Sequence, residues 1–147
     1  MTAGYQREQI MKAVITYLNF NGNCREVLKF YQRCFGGELN IMPFSEAPMD
    51  VPPEAKDRVM HGTVSKNGVT LLMASDTMPG TPFKEGNNFA ITVIPDNGAE
   101  LETLFTALSE KGNVTMPLQD TFWGARFGML TDQFGIHWMF NLEKPKQ

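Results

Sequence analysis

The sequence predicts an α+β fold built from a duplicated βαβββ unit, and three observations carry that prediction. The order strand, helix, strand, strand, strand can be read twice along the 147 residues. Matching landmarks recur: Gly37-Glu38-Leu39-Asn40-Ile41-Met42-Pro43-Phe44 answers Gly112-Asn113-Val114-Thr115-Met116-Pro117-Leu118. The copies lie 75 positions apart at Gly37 and Gly112 and 67 apart at Gly68 and Gly135, a shortening explained by the long loop after Phe44. Third, the runs Ala125 to Leu130 and Ile136 to Asn141 flank Asp132-Gln133-Phe134-Gly135, whose Asp and Gly favour a tight reversal. In the second run Ile136, Trp138 and Phe140 share one parity and His137, Met139 and Asn141 the other, so one face is apolar and the other mixed.

Taken in order, residues 1–12 show no period and read as a flexible extension. The first module, residues 13–76, opens with a strand at Val14 to Phe20, ended by Asn21-Gly22-Asn23. Val27, Leu28, Tyr31, Cys34 and Phe35 then fall at helical spacing, with Asn23 and Glu26 resembling a capping box and Gly36-Gly37 supplying the stop. Glu38 to Phe44 reads as a strand. The prolines and acidic residues of Ser45 to Asp57 predict a mobile loop suited to act as a lid. Arg58 to Lys66 and Val69 to Ser75 form a hairpin about Asn67-Gly68. Residues 77–88 are a connector rich in Pro and Gly.

The second module, residues 89–142, starts with a strand at Phe89 to Ile94 and a helix entered at Asp96-Asn97, whose Leu101, Leu104, Phe105 and Leu108 follow i, i+3, i+4, i+7. Gly112 closes that helix. Asn113 to Gln119 leads into the last hairpin, and residues 143–147 are a tail. All of this forms one domain.

Composition narrows the function classes. Apolar residues make up 42%, charged residues 20%, and the net charge is −3, which predicts a folded chain with no nucleic-acid partner. No apolar run approaches the ~20 residues of a membrane helix. A cytoplasmic protein without a membrane partner is expected. Cys24 and Cys34 lie on one predicted helix, about 15 Å apart at the ~1.5 Å rise per residue, beyond the ~7 Å Cα reach of a disulfide. No serine sits in an elbow motif and no glycine-rich phosphate loop is present.

Four stretches carry a family resemblance: Tyr17-Leu18-Asn19-Phe20-Asn21-Gly22, Met60-His61, Leu72-Met73-Ala74-Ser75-Asp76-Thr77, and Phe122-Trp123-Gly124-Ala125-Arg126-Phe127-Gly128 with Asp132 to Trp138 behind it. With the paired βαβββ order, residues 13–142 resemble the PhnB-like branch of the vicinal oxygen chelate superfamily, which includes glyoxalases, bleomycin-resistance proteins and extradiol dioxygenases. The resemblance implies the glyoxalase/bleomycin-resistance fold, an open, curved mixed sheet with helices outside, and a homodimer with cross-subunit clefts. Some members bear the name of a ubiquinone-precursor methyltransferase, but the chain has no glycine-rich strand-to-helix turn to cradle S-adenosylmethionine.

Carried over by strand order, the superfamily's metal-ligand positions are Ile15, Leu72, Ala90 and Met139, none of them a hard donor. The expectation is therefore a metal-independent small-molecule-binding protein with no cofactor. Its ligand-binding residues are expected to be Tyr17, Asn19, Leu72, Ala90, Trp123, Arg126, His137 and Met139. Tyr17 and Asn19 share the inward parity of Ile15. Arg126 is the candidate for holding an anionic ligand group, its alternative role being a structural pair with Asp120 or Asp132. Trp123 and Phe122 suit either a flat ligand or a subunit contact. The competing reading is an enzyme, a divalent-metal glyoxalase or dioxygenase relative with a displaced site where His61 and His137 join an acid such as Glu38 or Asp120, or a metal-free acid–base catalyst.

Overall fold

The computed structural model describes residues 11–145; most of the expected N-terminal extension and the last two residues lie outside that range. The first module runs β1 (Tyr17–Phe20), α1 (Cys24–Phe35), β2 (Glu38–Pro43), β3 (Val59–Lys66) and β4 (Val69–Asp76). The second runs β5 (Ile91–Val93), α2 (Gly98–Leu108), β6 (Asn113–Asp120), β7 (Ala125–Thr131) and β8 (His137–Glu143). Each module makes a mixed four-stranded sheet of the same order, β1-β4-β3-β2 and β5-β8-β7-β6, with a parallel first pair and antiparallel neighbours. This is the duplicated unit that the repeated glycine landmarks predict. β1 and β5 are shorter than their apolar runs, because pairing with β4 and β8 starts only at Tyr17 and Ile91.

Alternation along the strands decides which face is buried. Leu18, Phe20, Leu72, Ala74 and Val64 point under α1, and Leu130, Trp138 and Phe140 join Leu101, Leu104, Phe105 and Leu108 of α2 in the same continuous core. At ~1.5–3 kcal/mol for each large apolar side chain, this burial is the main favourable contribution to folding. Helix and sheet approach closely at one glycine per module. A Cβ on Gly62 would strike Leu28, and one on Gly128 would strike Phe105, so both copies solve the helix–sheet contact in the same way. The opposite faces of both sheets carry no helix and stay half-exposed.

Two buried carboxylates organise the loops. Asp76, at the end of β4, accepts hydrogen bonds from the backbone N–H groups of Gly22 (2.7 Å), Cys24 (3.0 Å) and Val59 (2.8 Å). It thereby caps α1 from a distant strand. The expected Asn23 and Glu26 box does not form, since Asn23 makes no side-chain cap bond. The box does form on α2, where Asn97 Oδ1 accepts from Glu100 N–H and Glu100 Oε1 accepts from Asp96 N–H. The loop after β2 is better anchored than its composition suggests. It contains two short 3₁₀ turns, Phe44–Glu46 and Pro53–Ala55, and buries Ala55 completely.

Asp132, in the β7–β8 turn, is 4% exposed. It accepts from Tyr31 Oη (2.5 Å), Trp138 Nε1 (2.9 Å), Phe134 N–H (2.8 Å) and Ile136 N–H (3.0 Å). Burial, and after it the adjacent carboxylate, pushes the Tyr31 hydroxyl far above its ordinary pKa, so this group remains a donor at any accessible pH. Replacing Asp132 by Asn keeps the volume but sets an amide N–H₂ among groups that are themselves donors, of which the indole N–H can only donate. Asp132→Asn should lower the unfolding free energy by about 3 kcal/mol and Tyr31→Phe by about 2 kcal/mol, measured by urea unfolding.

Candidate functional site

The helix-free face of the β5-β8-β7-β6 sheet is paved by alternate residues. The register pairs Met129 with Met139, Thr131 with His137 and Thr92 with Met139, which sets these side chains on one face with Ala90. A cavity of about 440 Å³ opens there, lined by Ala90, Thr115, Met129, Thr131, His137 and Met139 and edged by Phe89. Its volume lies within the ~300–1,000 Å³ of small-molecule sites. His137 Nδ1 sits 2.9 Å from Thr131 Oγ1, which fixes the ring, while its other nitrogen has no hydrogen-bond partner among the described residues.

Tyr17 and Asn19 stand elsewhere, in a second hollow of about 370 Å³ beside the connector. Phe89 borders both hollows. The structure thus groups Ala90, His137 and Met139 in one cavity and Tyr17 and Asn19 in its neighbour. It also brings in Met129 and Thr131, which sequence reasoning missed although their parity with His137 across the hairpin was available, and Thr115, which lies where β6 bulges against β7.

Leu72 corrects the expected lining. It is 1% exposed and belongs to the core under α1, because β1 pairs with β4 so that Tyr17 lies opposite Met73 and Asn19 opposite Ser75. A one-residue change of parity moves a strand residue to the other face. Met73 therefore shares the face of Tyr17, and the carried-over position offers a thioether instead of hydrocarbon.

Arg126 and Trp123 lie at the opposite end of the second sheet, in and beside the β6–β7 turn. The Arg126 guanidinium is held by Glu102 (3.2 Å) and Asp120 (3.5 Å), and Lys144 reaches the other Asp120 oxygen at 2.8 Å. The hydrogen bond from Lys144, with Arg126 adding to it, lowers the Asp120 pKa. The structural role weighed for Arg126 is the one the geometry displays, with Glu102 as the added partner. Trp123 is 54% exposed and stacks edge-on with Phe122 and Phe127.

His61 and His137 lie on separate sheets with separate partners. His61 Nδ1 is 3.1 Å from Tyr17 Oη, within the first module. Among the described residues no three His, Cys, Asp or Glu side chains are grouped for a metal ion. The thiols are poor nucleophiles: burial pushes Cys24 up to about 12 and Cys34 up to about 11.

With this geometry in place, the comparisons assign the chain. The family model for 3-demethylubiquinone-9 3-methyltransferase matches residues 12–140. Protein YjdN of Escherichia coli is 32% identical over 88% of this chain and 95% of its own length. The crystal structure of PA1353 from Pseudomonas aeruginosa superposes with a TM-score of 0.81 at 43% identity, covering 92% of this chain and all of that one. A PhnB protein from Bacillus cereus, described as a putative 3-demethylubiquinone-9 3-methyltransferase, gives a TM-score of 0.68 at 24% identity over 89% and 99% of the two chains. Members of the glyoxalase/bleomycin resistance/dioxygenase superfamily share the fold at 13–19% identity. The chain belongs to the family of that 3-demethylubiquinone-9 3-methyltransferase model and has the glyoxalase/bleomycin-resistance fold.

Proposed function

We propose that this protein binds a compact small molecule on the helix-free face of its second sheet and does so without a tightly held metal. One observation carries the reading: a cavity of about 440 Å³ whose walls are Met129, Met139, Ala90 and Phe89 and whose polar tips are His137, Thr115 and Thr131. Apolar walls with a few placed hydrogen-bonding groups suit recognition by shape. At the positions where superfamily enzymes place ligands, this chain offers Ile15, Met73, Ala90 and Met139, which supply only hydrocarbon and thioether. Zinc, nickel and iron sites need several imidazole or carboxylate donors at one point. The anion-holding role expected of Arg126 is left out, since two carboxylates already engage its guanidinium. Methyl transfer, which the family description names, is also left out: the turns entering the helices, Asn21-Gly22-Asn23 and Asp96-Asn97, are not glycine-rich.

We also propose that the chain pairs with a second copy of itself through exposed apolar surface on the sheets. Phe122 is 98% exposed, and Tyr17, Met42 and Trp123 add apolar surface on the side of the sheets away from the helices or at their rim. Such surface is costly to leave in water and is enriched in aromatic residues and Met, as subunit contacts are.

Two measurements test this. Elemental analysis of the purified protein, with titrations of Ni, Zn, Fe and Mn, should find no stoichiometric metal; a full equivalent that disappears in His137→Ala would overturn metal independence. Light scattering at micromolar concentration should give a dimer, and Phe122→Asp should shift it toward monomer; a wild-type monomer would refute the assembly.

A further inference from the structure

The hollow beside the connector has chemistry of its own. Its lining includes Phe83, Phe89 and Phe134, with Tyr17, Asn19 and Thr77 among its polar side chains and the core residue Phe20 only at its edge, and its volume is about 370 Å³. Its lining also includes Lys84 and Glu85, both exposed, and neither forms a salt bridge among the described residues. Glu85 is held close to the β7–β8 turn. Its Oε1 lies 3.2 Å from where a Cβ on Gly135 would stand, and the backbone φ of +88° at that position is itself one that favours glycine.

The strand of chain that carries these charges is unusual. Residues 82–89 form no backbone or side-chain hydrogen bond to the body of the protein among the described residues. Side-chain packing alone holds this strap, and segments so held open at low free-energy cost. An aromatic-walled hollow, an unpaired cation, an unpaired anion and a loosely held cover therefore occur together.

We propose that this hollow is a second binding site, distinct from the cavity at His137, and that it takes a compact aromatic zwitterion with the chemistry of an aromatic α-amino acid. The ring would lie among the phenylalanines, with edge-on or offset contacts that favour an aromatic over an alkyl body. The carboxylate pairs with Lys84 and the ammonium with Glu85, and the bound ligand ties the strap to the β7–β8 turn. A ligand with one charge satisfies one side chain and meets like charge at the other.

Three related probes test it: L-phenylalanine with both charges, 3-phenylpropionate with the carboxylate alone, and phenethylamine with the amine alone. Calorimetry should give L-phenylalanine tighter binding than either analogue, by up to about fivefold, the worth of one additional exposed ion pair. Amide shifts should centre on Phe83, Phe89 and Phe134. Lys84→Met should reduce L-phenylalanine to the affinity of phenethylamine, and Glu85→Gln to that of 3-phenylpropionate; both positions are exposed, so folding is preserved. Equal affinity for the three probes, no binding, or shifts confined to Thr131, His137 and Met139 would overturn the proposal. Since His137→Ala should leave L-phenylalanine binding unchanged, this site and the sheet cavity stand or fall separately.

Discussion

The carboxylate of Asp132 is where the two modules are bonded to each other. Tyr31 of α1 donates to it from the first module, and Trp138 of β8 with two turn amides donates from the second. Among the described residues the Tyr31 bond is the only hydrogen bond that joins the two modules. Around it the rings of Phe30, Tyr31 and Phe35 meet Phe134 and Trp138. A buried charge with four donors is tolerable, whereas the same charge short of donors is strongly destabilising. That asymmetry makes the junction specific, since any other packing of α1 against the hairpin would take the Tyr31 donor from the carboxylate.

This junction also sets the geometry of both candidate sites. By fixing the β7–β8 turn, Asp132 fixes the start of β8 and therefore the face that His137 and Met139 present. The same turn supplies Phe134 and Gly135 to the hollow under the connector. The sites are thus built from one rigid corner, with the sheet face on one side and a loosely held strap on the other.

Much of this was legible in the residues. Repeated glycines and alternating apolar positions predict the duplicated unit because each reports a local requirement, a turn or a buried face, that tertiary structure did not override. The apolar parity of Ile136, Trp138 and Phe140 predicted which side of β8 enters the core. Register across a parallel pair is not local. Leu72 was expected in the cleft because nothing within β4 indicates that Met73, not Leu72, lies opposite Tyr17. The capping of α1 by Asp76 was equally hidden, for the cap comes from a strand some fifty residues away. Arg126 was ambiguous in sequence, since an arginine near an acid can serve ligand or scaffold, and only the position of Glu102 on α2 decides. Residues 83–86 read as part of a linker because Pro and Gly dominate their surroundings. The signal that was available is the side-by-side Phe83, Lys84 and Glu85, chemistry that a mere spacer does not require.

If the Tyr31–Asp132 contact welds the modules into one cooperative unit, their cores must open together. Native-state amide exchange followed by NMR tests this directly through Leu28 and Tyr31 in α1 and Trp138 and Phe140 in β8. The two groups should report the same opening free energy, equal to that of global unfolding. A β8 that opens about 2 kcal/mol or more below α1, with α1 still protected, would contradict the account, because the modules would then fold separately and the corner that shapes both sites would not be rigid.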